Sequence, residues 1–364
     1  MKKDIKGRMV TYVMTGIYAV AGLGVGVIAG KLLKESKSQY IMIAIVIAFA
    51  LLFGTGVIIH ESGHLIFGLL SGYKFVSFRI GNIMLIKKNG RFTWKKFSIA
   101  GTGGQCLLSP PDMKDGRIPY TMYNFGGALM NLVTAAVAYI ISISVSSQVV
   151  SSFIMMYVIL SAAMAITNGI PLRNEQIAND GYNAISLGKN KEALRSFWLQ
   201  LKINSMLADD IMLKDMPEEW FNMPSDEELK NNMIAVEGVF YCNYLMANMR
   251  FEETEKEIKE LLDKKTAIAG VHRSMLVCDL VYCMIIRGAS KAEIDRLLND
   301  EQKKFMDAMA SYPSIIRTRY AYDKVILGDE NKAKSRMEQF EKVAKSFPYK
   351  SDVDMELSFM EACE

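Results

Sequence analysis

Residues 40–72 read YIMIAIVIAFALLFGTGVIIHESGHLIFGLLSG. Over these 33 residues the only formal charge is Glu61, joined by His60 and His64. As a helix rising about 1.5 Å per residue the run is roughly 50 Å long, whereas the hydrocarbon core of a bilayer is about 30 Å thick. It therefore crosses with a tilt, kinks near Gly54 and Gly56, or projects beyond the bilayer.

Working outward, three more apolar runs have the length of a membrane span: residues 9–30, 120–147 and 151–172. The first is flanked by Lys2, Lys3, Lys6 and Arg8 and then by Lys31 and Lys34. It is not followed by a small-residue cleavage site and a mature domain, as a secretory signal peptide would be. Residues 1–172 carry 16 Lys and Arg against 5 Asp and Glu, and the rest of the chain carries 27 against 34. The halves are therefore +11 and −7. Positive charge collects in the N-terminal flank and in nine Lys and Arg of residues 73–118. That bias puts both termini on the cytosolic side. Next to membrane spans this basic loop reads as a topology signal and not as a nucleic-acid surface.

The chain has three histidines, too few for a di-iron membrane oxygenase or any His-rich metal array. Its five scattered cysteines form no CxxC pair and read as reduced thiols. His60-Glu61-Ser62-Gly63-His64 is an HExxH. On a helix, residues i and i+4 share a face, so both imidazoles can hold one zinc ion, with Glu61 placed to take the proton of a water that the metal activates. A carboxylate at bilayer depth costs on the order of 2.5–3.5 kcal/mol, which marks it as functional. An open catalytic zinc site needs a third protein ligand. His272 lies in the polar half and reads as an ordinary packed or surface residue. Asp180 is the candidate, because Pro171 ends the fourth span and Asp180-Gly181 can turn back toward the metal; Glu175 is its rival. His64 lies ten residues before Lys74, roughly 15 Å below the cytosolic interface. Asp180 emerges at that same end of the fourth span.

With these residues in place, the chain resembles the site-2 protease family of intramembrane zinc metalloproteases over residues 40–183. Three motifs carry the resemblance in the family's order: His60 to His64, Gly127-Ala128-Leu129-Met130-Asn131, and Asn168-Gly169-Ile170-Pro171 leading to Asp180-Gly181. Ala128 stands where the family has proline, Asn179 where it has leucine, and Tyr182 where it has a second glycine. The resemblance implies that His60, His64 and Asp180 hold Zn2+, that Glu61 is the general base, and that Asn131 and Asn168 position substrate or polarise its carbonyl. It also implies a multi-pass protein of a bacterial cytoplasmic membrane acting on a membrane-embedded protein or peptide near the cytosolic face. Two rival readings stand beside it: a CAAX-processing or heat-shock type membrane metalloprotease, whose third ligand is a glutamate, and a non-catalytic scaffold.

Around Lys88-Asn89-Gly90, residues 78–87 and 91–99 alternate apolar and polar, which predicts a β-hairpin. Gly101-Thr102-Gly103-Gly104 reads as a flexible turn. A helix must be unwound before cleavage, and a strand edge can hold the extended chain, so the resemblance suggests the hairpin for that role. Beyond residue 183 the pattern is charged and helical. Residues 235–249 with 251–264, 275–286 with 291–309, and 315–327 with 331–346 form three helix pairs starting about 40 residues apart. That period suggests a tetratricopeptide-like stack able to seat a cytosolic protein or peptide partner. The expected fold is thus mainly α: a membrane metalloprotease domain over residues 1–183 with four spans and a small membrane-associated hairpin, and a cytosolic helical domain over residues 184–364.

Overall fold

The computed structural model describes residues 2–35, 38–98, 102–173 and 178–363. The described residues are mainly helical and fall into two compact units, Met1–Gly81 with Ile99–Leu194, and Asn82–Ser98 with Arg195–Glu364.

In the first unit, α1 (Lys2–Glu35), α2 (Ile41–Leu70), α3 (Tyr120–Ser144) and α4 (Gln148–Gly169) carry the long apolar runs. Among the described residues four helices, counting α1 from Met9, are long and apolar enough to cross a membrane. Large side chains such as Leu51, Val137 and Ile143 point outward from them, as lipid-facing residues do. α2 continues through Gly54 and Gly56 without a break. Pro171 follows the last turn of α4, and α5 (Asp180–Ser186) then begins.

Glycines set the spacing of α2 and α3. A Cβ on Gly126 would lie 2.5 Å from the Gly63 carbonyl oxygen, and a Cβ on Gly56 would lie 2.9 Å from the Met164 sulfur of α4. Without such side chains the backbones approach closely, the usual means of packing helices where water supplies no hydrophobic drive.

The β-structure exceeds the single expected hairpin. Four strands occur among the described residues: β1 (Lys74–Ile80), β2 (Ile83–Lys88), β3 (Arg91–Lys96) and β4 (Gly104–Ser109). The expected first strand, residues 78–87, is broken at Gly81, whose φ is +58°. Residues 83–96 form the hairpin, antiparallel and closed by Lys88 opposite Arg91. β1 pairs antiparallel with β4. Much of the segment read as a flexible turn is therefore fixed. Thr102 accepts a bond from the Arg79 guanidinium, and Gly104 opens β4. Ile99, Ala100 and Gly101 lie outside the described residues.

The second unit is built from the end of α6 (Lys191–Ala208), α7 (Asn232–Ala247), α8 (Phe251–Asp263), α9 (Gly270–Ile286), α10 (Lys291–Leu297), α11 (Asp300–Ala308), α12 (Pro313–Ala321), α13 (Glu330–Ala344) and α14 (Lys350–Glu361). Its turns fall where the sequence placed them, with positive φ at Met249, Gly288 and Gly328. The expected helix over 291–309 is two helices instead. Asn299 accepts a bond from the Gln302 amide and caps α11, which separates it from α10. The core centres on α9, with Cys278, Tyr282 and Cys283 fully buried. All five cysteines are free.

Candidate metal centre

Three donor atoms converge inside the first unit. His60 and His64 stand one turn apart on α2, and Asp180 opens α5. The two Nε2 atoms lie 3.2 Å apart, and Asp180 Oδ2 is 3.1 Å from that of His60 and 3.3 Å from that of His64. Among the described residues this is the one His, Cys, Asp and Glu group that could hold a metal ion.

Hydrogen bonding decides which nitrogens are available. Asn131 donates from Nδ2 to the Gly56 carbonyl at 3.0 Å and to Ser161 Oγ at 3.2 Å, so its Oδ1 faces His60 Nδ1 at 2.8 Å as an acceptor. His64 Nδ1 lies 2.7 Å from the Tyr123 carbonyl. Both Nδ1 atoms therefore carry the proton and donate, which leaves both Nε2 lone pairs turned toward Asp180. Three acceptors thus face one another at close range, an arrangement that calls for a cation between them. Donors about 2.0–2.1 Å from a tetrahedral zinc are themselves about 3.3 Å apart. The observed separations of 3.1 to 3.3 Å fit that donor set.

The motif around Asn131 has a second task. A Cβ on Gly127 would lie 2.5 Å from His60 Cε1 and 2.6 Å from the Nε2 of each histidine. Glycine at 127 leaves the space that the imidazoles occupy.

Asn179, where the resembling family has leucine, positions the acid. Its Oδ1 accepts from the Tyr182 amide at 2.9 Å and the Leu172 amide at 3.0 Å, and its Nδ2 donates to the Thr167 and Ile170 carbonyls at 2.7 and 2.6 Å. One side chain caps α5 and ties it to the frayed end of α4. Nothing in the sequence signals this beyond an Asn preceding Asp-Gly, because its partners become neighbours only after the chain reverses. Asn168 remains on α4, half-buried, and donates to the Met164 carbonyl at 3.0 Å. Glu175 lies outside the described residues.

Glu61 projects toward β4. A Cβ on Gly104 would lie 2.6 Å from Glu61 Cγ and 2.8 Å from its Oε1, and the Cys106 backbone hydrogen-bonds the carboxylate. The third histidine, His272, belongs to the second unit.

Four helices apolar enough to cross a membrane and a His, His and Asp donor set are, among the described residues, the parts that a membrane metalloprotease requires. Residues 48–165 match the model of Peptidase family M50, the site-2 protease family, whose members are zinc metalloproteases. Asp180 lies beyond the matched residues. No curated protein and no solved structure matches the chain.

Proposed function

We propose that the protein is a zinc-dependent intramembrane endopeptidase that cleaves a transmembrane or membrane-associated peptide near the cytosolic face of a bacterial cytoplasmic membrane. The observation that carries the proposal is the meeting of three bare acceptors, His60 Nε2, His64 Nε2 and Asp180 Oδ2, within 3.3 Å of one another. Zinc held by these residues supplies Lewis acidity, which lowers the pKa of water and polarises a peptide carbonyl. Glu61 takes the proton from the attacking water and returns it to the leaving amine. Asn131 keeps the His60 lone pair directed at the site, and Asn168 orients substrate from the end of α4. Gly104 leaves Glu61 room to swing, and β4 offers backbone close to it on which an extended peptide can be held.

The same reading gives the chain a membrane metalloprotease domain over residues 1–183 and a cytosolic domain over 184–364, with both termini in the cytosol. The basic flanks of the spans support that orientation. The packing of α8 against α7 and of α13 against α12, each pair consecutive in the chain, supports a tetratricopeptide-like role for the second unit as a seat for a peptide or protein partner.

The test is Glu61→Gln. Purified variant protein is expected to retain its zinc, and cells carrying it to accumulate a membrane peptide that native cells remove. A membrane-peptide profile identical in the two strains sinks the protease reading.

A further inference from the structure

The second unit contains a cavity of about 290 Å³ lined by the aromatic residues Phe97, Phe240 and Tyr312 and by the acids Asp279, Asp352 and Glu356. Its charges do not balance. Asp279 and Glu356 share one fully buried guanidinium, Arg317, at 2.5 and 2.8 Å. Asp352 lies one turn before Glu356 on α14, and among the described residues it has no hydrogen-bonding partner. The nearby cation, Lys88, is already bonded to Asp210 at 2.7 Å. The lining therefore holds three carboxylates and the imidazole of His272, with one guanidinium, Arg317, shared by two of the acids. Burial, with Glu356 and Asp210 close by, pushes the Asp352 carboxyl up to about 7. Aromatic faces and uncompensated carboxylates together select a cation with an apolar stem. The volume suits one or two side chains.

We propose that this cavity seats a Lys or Arg side chain from the basic cytosolic flank of the membrane peptide substrate, against Asp352, Glu356 and the surrounding rings. The inference rests on the protease reading for its choice of ligand, since a transmembrane peptide carries its Lys and Arg on the cytosolic side. The acidic balance of the chain beyond residue 172, net −7, complements such a flank. Phe97 ties the cavity to the hairpin. Its ring lies 6.2 Å from that of Tyr312 and 5.4 Å from that of Phe347.

The test is fluorescence anisotropy with the full chain carrying Glu61→Gln, in detergent with a chelator and with protein-free micelles as blank. The probe is a labelled 12-residue peptide alternating Lys with Phe and Ala. The Lys peptide is expected to bind, its Glu counterpart is not, and Asp352→Asn should weaken binding about tenfold, the scale of one hydrogen bond to a charged group. Thermal unfolding checks that the variant is folded. Equal binding of the Lys and Glu peptides overturns the proposal whatever the variant does, as does unchanged affinity in folded Asp352→Asn. Displacement by spermidine at matched charge concentration also overturns it, in favour of a free polyamine. Because chelated protein is used, the result is independent of catalysis. A chain that cleaves membrane peptides yet ignores the Lys peptide loses only this proposal, and one that binds it without cleaving loses only the protease reading.

Discussion

Asn131 accepts the proton-bearing Nδ1 of His60 at 2.8 Å across the contact between α3 and α2, while its own amide donates to Gly56 and Ser161. The side chain is held from three directions, so it fixes the tautomer of the histidine instead of leaving it free to rotate. A residue that supports a metal ligand in this way is worth about 10- to 100-fold in metal affinity. Asn131→Ala should lose zinc affinity by that factor, measured by competition with a chromophoric chelator, while the protein still inserts into membranes. Unchanged affinity would mean that His60 is oriented by something else.

Gly127→Ala would push a methyl group into both imidazoles, at 2.5 to 2.6 Å. Zinc content should collapse in this variant. Gly22→Ala, where a Cβ meets nothing within 4 Å, should bind zinc as the native chain does. Inductively coupled plasma mass spectrometry of the two purified variants gives the comparison.

Asn179→Ala removes the α5 cap and leaves the Thr167 and Ile170 carbonyls without their donor. The expected cost is about 1–2 kcal/mol for the cap, with weaker zinc binding because Asp180 loses its anchor. Asn179→Asp should recover the cap but not the bonds to the two carbonyls, since a carboxylate only accepts. An intermediate zinc affinity for the Asp variant is the discriminating result.

Asp352 titrates near 7 in the folded chain because burial and two neighbouring acids disfavour its charge, whereas an unfolded aspartate titrates near 3.8. Between those values the folded state holds the extra proton, so this group's contribution to stability is full below about pH 4 and is lost as pH rises through 7. The native chain should therefore lose more thermal stability than Asp352→Asn between pH 5 and pH 8. The readout is labelling of the buried thiols of Cys242, Cys278 and Cys283, which become reactive when the second unit opens. Parallel pH profiles for the two proteins would refute it.

Local pattern was enough for much of this architecture. Long apolar runs need few contacts to declare themselves, because the bilayer demands internally bonded helices, and the four spans lie within a few residues of where the sequence places them. The i, i+4 spacing puts His60 and His64 on one face of α2 by helix geometry alone, and the turns at Met249, Gly288 and Gly328 follow from sequence punctuation. The hairpin over residues 83–96 was legible from Asn89-Gly90, but β4 was not: its partner β1 lies some 30 residues away, and no local signal specifies a strand after a glycine-rich segment.

What only the tertiary structure decided is the company these residues keep. Asp180 meets His60 across 120 positions of chain, and Asn131 meets it across 71. Asn179 and Gly127 look unremarkable in sequence, since one acts through carbonyls freed at the end of α4 and the other through the side chain it lacks. Composition left few imidazoles for a metal site and so pointed toward a carboxylate; the choice of carboxylate needed the chain to close, since coordination depends on separations in space and periodicity encodes only separations along a helix or strand.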